Sequence, residues 1–342
     1  MEHQINLDIG YVDFLVCIVD RSTRSQNTNV VELHNRILKE GEDPIQLTFY
    51  SCGIGAYVPP NTCRLVAWYQ NMVDMAIARN FREIVEKAYR WLADNYKDGD
   101  RIFMFGFSRG AYQVRALAGM IEQVGLVSSG NTGLIPFAYE LYAKRYRGED
   151  IKDEADARAL AENFKRTFSK EAKVHFVGVW DTVASVGIPQ RQPLPLTTAA
   201  YHICTFRHGL ALDELRVKFL PTYLAGGWSP NLQLDEFFGT DDKLLNTKEV
   251  WFVGSHSDVG GGVQAPRSLG LVSLLWMENQ AIDAGLRFGP RAFVGEWMWD
   301  NLHKSKPTIS LHSYWKLAEI LPFTRYQYTD SYSTTKYYLS SL

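Results

Sequence analysis

Ser108 stands in Gly106-Phe-Ser-Arg-Gly110, a G-x-S-x-G that follows the apolar run Ile102 to Phe105. Helical spacing begins directly after it, at Ala111, Tyr112, Val114, Leu117, Ala118, Met120 and Ile121. Strand, G-x-S-x-G and helix together are the setting in which this motif forms a nucleophile elbow. A serine hydroxyl attacks only when a base takes its proton, and a histidine steadied by a buried carboxylate is the base suited to neutral pH. Two further residues share the serine's kind of address. Asp181 follows the apolar run Val174 to Trp180, and His256 follows Glu249 to Gly254. All three therefore lie just past the carboxyl ends of predicted strands, in the chain order Ser, Asp, His.

The elbow carries more than a nucleophile. Its turn leaves the amide of Arg109 and the positive end of the following helix facing any oxyanion formed beside Ser108. A phosphate-binding loop is the other use of such glycines, but no Gly-Lys-Ser/Thr follows and the spacing does not fit G-x-G-x-x-G. Among the other histidines, His175 lies inside a strand pattern, while His34 and His312 lack a strand-end position. His202 and His208 fall in an irregular region and are weaker candidates for the base. Asp258, two residues beyond His256, is the rival acid; it also belongs among the residues placed to meet substrate, or caps the turn before the glycines that follow. A metal site at His256-x-Asp258 with Asp20 or Asp181 would leave the elbow unexplained, so none is expected.

The elements that must position these residues alternate along the chain. Phe14 to Val19 reads as a first core strand ending at Asp20, and Ile45 to Tyr50 as a second, followed by a loop containing Gly53, Gly55 and Tyr57. Helical spacing covers Val30 to Leu38, Val66 to Tyr96, Ile135 to Tyr146, Glu154 to Phe168 and Leu269 to Ile282, and Leu210 to Val217 also reads as helix. Strands separated by helices imply a mostly parallel sheet with helices on both faces. Two stretches, about 128–170 and 184–248, are too long for ordinary βα connections and are expected to form a cap over the site. The segment 290–342 is an aromatic-rich C-terminal extension without a clear period.

Composition narrows the classes. Of 342 residues, 46% are hydrophobic and 13% aromatic, enough for a sizeable core. A net charge of −2 without basic runs argues against nucleic acid as an obligate partner. No segment approaches the ~20 consecutive apolar residues of a membrane span. The first residues lack the layout of a signal peptide, and the four scattered cysteines include no C-x-x-C. A cytoplasmic protein without a cofactor is the expectation.

Four long motifs, in order, resemble a known family. They are Gly106-Phe-Ser-Arg-Gly-Ala-Tyr112, Val177-Gly-Val-Trp-Asp-Thr-Val183, Arg207-His-Gly-Leu-Ala-Leu-Asp-Glu214 and Trp251-Phe-Val-Gly-Ser-His-Ser-Asp-Val-Gly-Gly-Gly262. They look like the uncharacterised α/β-hydrolase family that includes the catalytic domain of bacterial type VI secretion phospholipase effectors and many fungal members. Ser, Asp, His is also the chain order of α/β-hydrolase triads. A single α/β-hydrolase-like domain over 1–342 is expected; the resemblance covers about residues 12 to 285 and implies Ser108 as nucleophile, Asp181 as acid and His256 as base. It implies cleavage of a carboxylic ester, small-molecule or lipid. The family's first strand ends in Asp-Gly-Thr, whereas Asp20-Arg-Ser-Thr23 stands here. The second oxyanion donor is therefore expected from the amide of Arg21 or Ser22, with Asp20, Gly53, Gly55, Tyr57 and Asp258 lining the substrate side. Loss of one such donor typically costs ~2.7–4 kcal/mol of transition-state stabilisation. Two other readings keep the fold: a non-hydrolytic cyclase or lyase using the same base, and a binding protein with a decayed site.

Overall fold

Short apolar runs rich in β-branched and aromatic residues become strands, and the longer stretches with a 3.6-residue period become the helices that cover them. The computed structural model describes residues 13–19, 27–39, 45–52, 66–144, 151–184, 194–216, 219, 221–224, 246–262, 268–290, 302, 305–311, 323–329 and 332–338. The elements are β1 (Asp13–Val19), α1 (Asn29–Arg36), β2 (Gln46–Cys52), α2 (Val66–Asn95), β3 (Arg101–Phe107), α3 (Arg109–Val124), β4 (Leu126–Val127), α4 (Ile135–Lys144), α5 (Ile151–Phe168), β5 (Ser169–Lys170), β6 (Val174–Trp180), β7 (Ile203–Ala211), β8 (Thr247–Phe252), α6 (His256–Gly260), α7 (Ser268–Asp283), β9 (Phe323–Thr329) and β10 (Tyr332–Tyr338).

Six strands form one parallel sheet in the order β2-β1-β3-β6-β7-β8. The chain moves outward from β1 to β2 and then crosses back over β1 to β3, so the strand order reverses between β1 and β3. Open parallel sheets bind ligands at the carboxyl ends of their strands beside such a reversal. The register keeps those ends level. Phe107 pairs with Val19 on one side and Trp180 on the other, and Trp180 pairs with Gly209. The residues directly after β3 and β6 are Ser108 and Asp181, so the sheet itself sets them side by side.

Successive strand residues point to opposite faces, and here both faces are buried. Val16, Ile18, Ile102, Met104, Val177 and Val179 pack in one cluster with residues of α2 to α5. Leu15, Cys17, Phe103, Phe105, Phe176 and Trp180 pack in another with residues of α1 and α7. This is the α/β-hydrolase arrangement expected from the sequence, with helices on both faces. Burial pushes the Cys17 thiol up to about 12, opposed only weakly by Lys39, so it behaves as a core residue.

The segment 128–170, expected in a cap, supplies α4 and α5, whose Ile135, Leu141, Tyr142, Ala161 and Phe164 are buried in the α2–α3 cluster. The antiparallel pair β4–β5 joins the ends of this helical pair. The segment 184–248 holds a clearer correction. Ile203 to Ala211 within it is a strand of the main sheet, between β6 and β8, and Leu210 belongs to it rather than to a helix. Its Arg207 and His208 hid the strand, because polar residues are rare in a buried β run. Both are satisfied across the fold: Arg207 Nε donates to Gln280 Oε1 (2.5 Å) and His208 Nδ1 lies 2.8 Å from Glu249 Oε1. The tail's aromatic residues include the antiparallel pair β9–β10.

Candidate active site

Ser108 occupies the turn between β3 and α3 with φ 59° and ψ −125°, a region a side-chain-bearing residue enters at a cost of ~1–3 kcal/mol. Gly106 makes the turn possible. A Cβ there would meet Gly110 O at 2.6 Å and the Ala111 backbone at 2.7 Å. The turn is also tied to the neighbouring strand's end: Ser108 N donates to Trp180 O (3.1 Å), and Val183 N donates to Ser108 O (3.2 Å). Arg109 is the first residue of α3, so its amide lies at the helix's positive end beside the serine.

Asp181 also has a left-handed backbone, φ 38°, and is fully buried. Its amide donates to Gly209 O (2.7 Å). Its Oδ1 accepts from Ala211 N (3.1 Å), and its Oδ2 lies 2.5 Å from His256 Nδ1. An ionised carboxylate only accepts, so the His256 ring proton sits on Nδ1 and Nε2 is left as an acceptor. Nε2 lies 2.9 Å from Ser108 Oγ. The three predicted residues thus form one hydrogen-bonded chain, of which Ser108 and His256 are only 5% and 4% exposed.

His256 opens α6, which starts in a capping box: Ser255 and the Asp258 side chain satisfy each other's amides. The His256 amide itself donates to Glu214 Oε2 (3.2 Å). The ring lies between Phe107 and Phe219, with centroids at 4.6 and 5.1 Å. Gly260 leaves room for the first of these, since a Cβ there would lie 1.9 Å from the Phe107 ring. Glu214 is in turn gripped by Arg216, whose Nε and Nη2 donate to its two oxygens at 2.8 Å. Burial pushes the Glu214 carboxyl up, but the Arg216 hydrogen bonds and charge and the His256 amide outweigh it and hold the group at about 2. It stays a carboxylate, and so an acceptor for His256, at any ordinary pH.

Of the roles the sequence offers Asp258, it takes the cap. Its Oδ2 accepts from Ser255 N (2.9 Å) and Ser255 Oγ (3.0 Å), and both oxygens take Thr308, Oδ2 from N (2.8 Å) and Oδ1 from Oγ1 (2.7 Å). It caps α6 and tethers the segment 305–311 through Thr308. Of the remaining predicted residues, Asp20, Arg21, Ser22, Gly53, Gly55 and Tyr57 lie outside the described residues. Sequence reading missed Glu214, although it closes the quoted Arg207–Glu214 motif; locating β7 would have placed it at a strand's carboxyl end.

Comparison with known proteins places this geometry. An uncharacterised Saccharomyces cerevisiae protein is 38% identical over 199 residues, which is 56% of this chain and 29% of that protein. Two solved structures resemble it at 15% identity. One is the Tle1 effector bound to the VgrG spike of the type VI secretion system, with a TM-score of 0.42 over 75% of this chain and 53% of that one. The other is an uncharacterised protein from Pseudomonas aeruginosa, with a TM-score of 0.41 over 87% and 49%. The chain spans less than a third of the yeast protein and about half of each solved chain. The profile of the T6SS phospholipase effector Tle1-like catalytic domain matches residues 17–280. With Ser108, Asp181 and His256 all inside that span, the chain belongs to the T6SS phospholipase effector Tle1-like catalytic domain family.

Proposed function

We propose that this chain is a serine hydrolase that cleaves a carboxylic ester with a substantial apolar acyl part, such as a lipid ester. The observation that carries the reading is the Ser108 Oγ–His256 Nε2–Asp181 chain at 2.9 and 2.5 Å on a strained elbow. Ser108 Oγ attacks the ester carbonyl as its proton passes to His256 Nε2, and Asp181 stabilises the resulting imidazolium. The Arg109 amide faces the oxyanion. The imidazolium then protonates the leaving alkoxide, giving an acyl-Ser108, and water activated by the same ring releases the acid. Membership in a family named for phospholipase effectors supports the lipid side of this reading. So do Leu212, Leu215, Val253 and Ile309, which are 52–71% exposed. They lie on segments bonded to the start of α6: Glu214 accepts from His256 N (3.2 Å) and Asp258 Oδ1 from Thr308 Oγ1 (2.7 Å).

The direct test is a fluorophosphonate probe read by mass spectrometry. One adduct on Ser108 is expected, absent from a folded Ser108→Ala variant. Labelling that survives in the variant overturns the nucleophile, and a folded wild type that neither labels nor hydrolyses any ester in a chain-length series overturns the hydrolase.

A further inference from the structure

Beside the site lies a second histidine–carboxylate pair that the reaction does not use. His208, on β7, is fully buried. Its Nδ1 lies 2.8 Å from Glu249 Oε1 on the neighbouring β8. Its Nε2 accepts the backbone N–H of Thr182 (3.1 Å) and lies 3.1 Å from Thr182 Oγ1. An amide can only donate, so Nε2 is an acceptor and the ring proton sits on Nδ1, facing Glu249. Glu249 also accepts from Leu224 N (3.1 Å). Burial pushes its carboxyl up, but His208, the Arg115 guanidinium and the Leu224 amide outweigh that and hold it down, so it remains the acceptor that sets the ring's tautomer.

Thr182 directly follows Asp181, and its own surroundings are crowded with backbone bonds. Trp180 O and Val183 N bond the Ser108 backbone, Asp181 N bonds Gly209 O, and Thr222 N donates to Thr182 O (2.7 Å). Within this turn the Thr182 amide alone is satisfied by a side chain, and that side chain is His208. A buried amide without an acceptor is costly, and Asp181 is held with φ 38° immediately before it. We infer that His208 is a positioning residue for the hydrolysis proposed above: by accepting the Thr182 N–H it fixes the Asp181–Thr182 turn and keeps the Asp181 carboxylate on His256. Glu249 fixes His208 as Asp181 fixes His256.

The test separates the two nitrogens of His208. An asparagine places its amide near Nδ1 and keeps a donor for Glu249, but is too short to accept from Thr182. A glutamine reaches the position of Nε2 and supplies that acceptor. His208→Asn should slow phosphonylation of Ser108 about 10- to 100-fold, the scale of a misplaced catalytic group. His208→Gln should stay within a few-fold of wild type, and Ile203→Ala, a destabilising change at the start of the same strand, should leave the rate unchanged. In a crystal structure of His208→Asn, Asp181 should leave its left-handed conformation and its Oδ2 should withdraw from His256. Equal rates for the asparagine and glutamine variants, or an undisturbed Asp181 in the asparagine variant, overturn the inference. If the asparagine variant does not fold, glutamine as slow as His208→Phe overturns it. A wild type that labels nowhere would count against the hydrolase alone, since the position of Asp181 is read without activity.

Discussion

Asp181–His256 and Glu249–His208 are built alike and end on different partners. In each, a carboxylate fixes the ring proton on Nδ1, at 2.5 and 2.8 Å respectively. In each, Nε2 is thereby left as an acceptor. His256 turns that acceptor toward a hydroxyl on a strained turn, and His208 turns it toward a peptide N–H, with the Thr182 hydroxyl at the same 3.1 Å. A hydroxyl can give up its proton to a base and attack, whereas a buried amide only holds its place. The same pair therefore makes a base in one position and a clamp in the other, and the two meet in adjacent residues, Asp181 and Thr182. What distinguishes the two is that Nε2 of His256 meets the hydroxyl of a strained turn, whereas Nε2 of His208 is already occupied by a peptide N–H beside the Thr182 hydroxyl.

The sharpest way to break the comparison is to neutralise each carboxylate. Asp181→Asn presents an amide to Nδ1, disfavours the working tautomer, and should lower kcat by on the order of 10⁴ with the fold intact. Glu249→Gln leaves an Oε1 acceptor for the His208 ring proton and for Leu224 N, and should cost less than about tenfold, because its target is already a fixed amide. Kinetics with a short-chain ester, alongside thermal melts, read both. Losses of similar size in the two variants would mean that the pairs do the same work, and the distinction drawn from Nε2 would fail.

The elbow was legible because its chemistry is local. A strand, two glycines and a helix must be contiguous for Ser108 to take its conformation, and the space at Gly106 is set by Gly110 and Ala111 only a turn away. Asp181 and His256 were legible for a related reason, since each ends a recognisable apolar strand. β7 was not, because the partners that permit Arg207 and His208 inside a sheet lie far along the chain, 73 residues on at Gln280 and 41 residues on at Glu249. Without β7, the sequence offers His208 only as a rival base and gives Glu214 no strand-end address. Asp258 takes the capping role that the sequence offers it, but its second partner is not legible there, because Thr308 lies 50 residues on. Polar residues advertise chemistry in a sequence, but distant partners decide whether it is chemistry or architecture.

A third histidine extends the comparison to a ring with no carboxylate. His202 is buried, and neither ring nitrogen has a hydrogen-bond partner among the described residues. Burial, with a smaller push from Arg115, lowers it from 6.5 to about 3. Between those values the unfolded chain binds a proton that the folded protein refuses, so stability rises with pH across the window and is lost as pH falls through it. The expected slope for this one group is about 1.4 kcal/mol per pH unit. His202→Phe should remove it, so the difference in unfolding free energy between variant and wild type should grow in the variant's favour from pH 6.5 down to pH 4. A difference that stays constant with pH would show that His202 is not held neutral by the fold.

The smallest effect concerns the way His256 is held from behind. Glu214 accepts the His256 amide and is itself locked by Arg216, whose guanidinium lies 3.7 Å from the centre of the Phe219 ring that packs against the imidazole. Glu214→Gln keeps an oxygen for the amide but loses the ion pair, so the imidazole should shift slightly while the fold survives. A loss of about three- to tenfold in kcat/KM is expected, the scale of one weakened charge-assisted hydrogen bond. Its pH signature is distinct from that of His202. The folded carboxyl lies at about 2 against an ordinary 4.5, so its stabilising contribution is complete above 4.5 and is lost as pH falls toward 2. Wild type should therefore be more stable than Glu214→Gln by a constant margin from neutral pH down to about pH 5, with the margin closing below that. Urea unfolding at pH 7 and pH 3 reads it. An unchanged margin at pH 3 would mean that Arg216 gains nothing from the charge of Glu214, and that the amide contact alone positions His256.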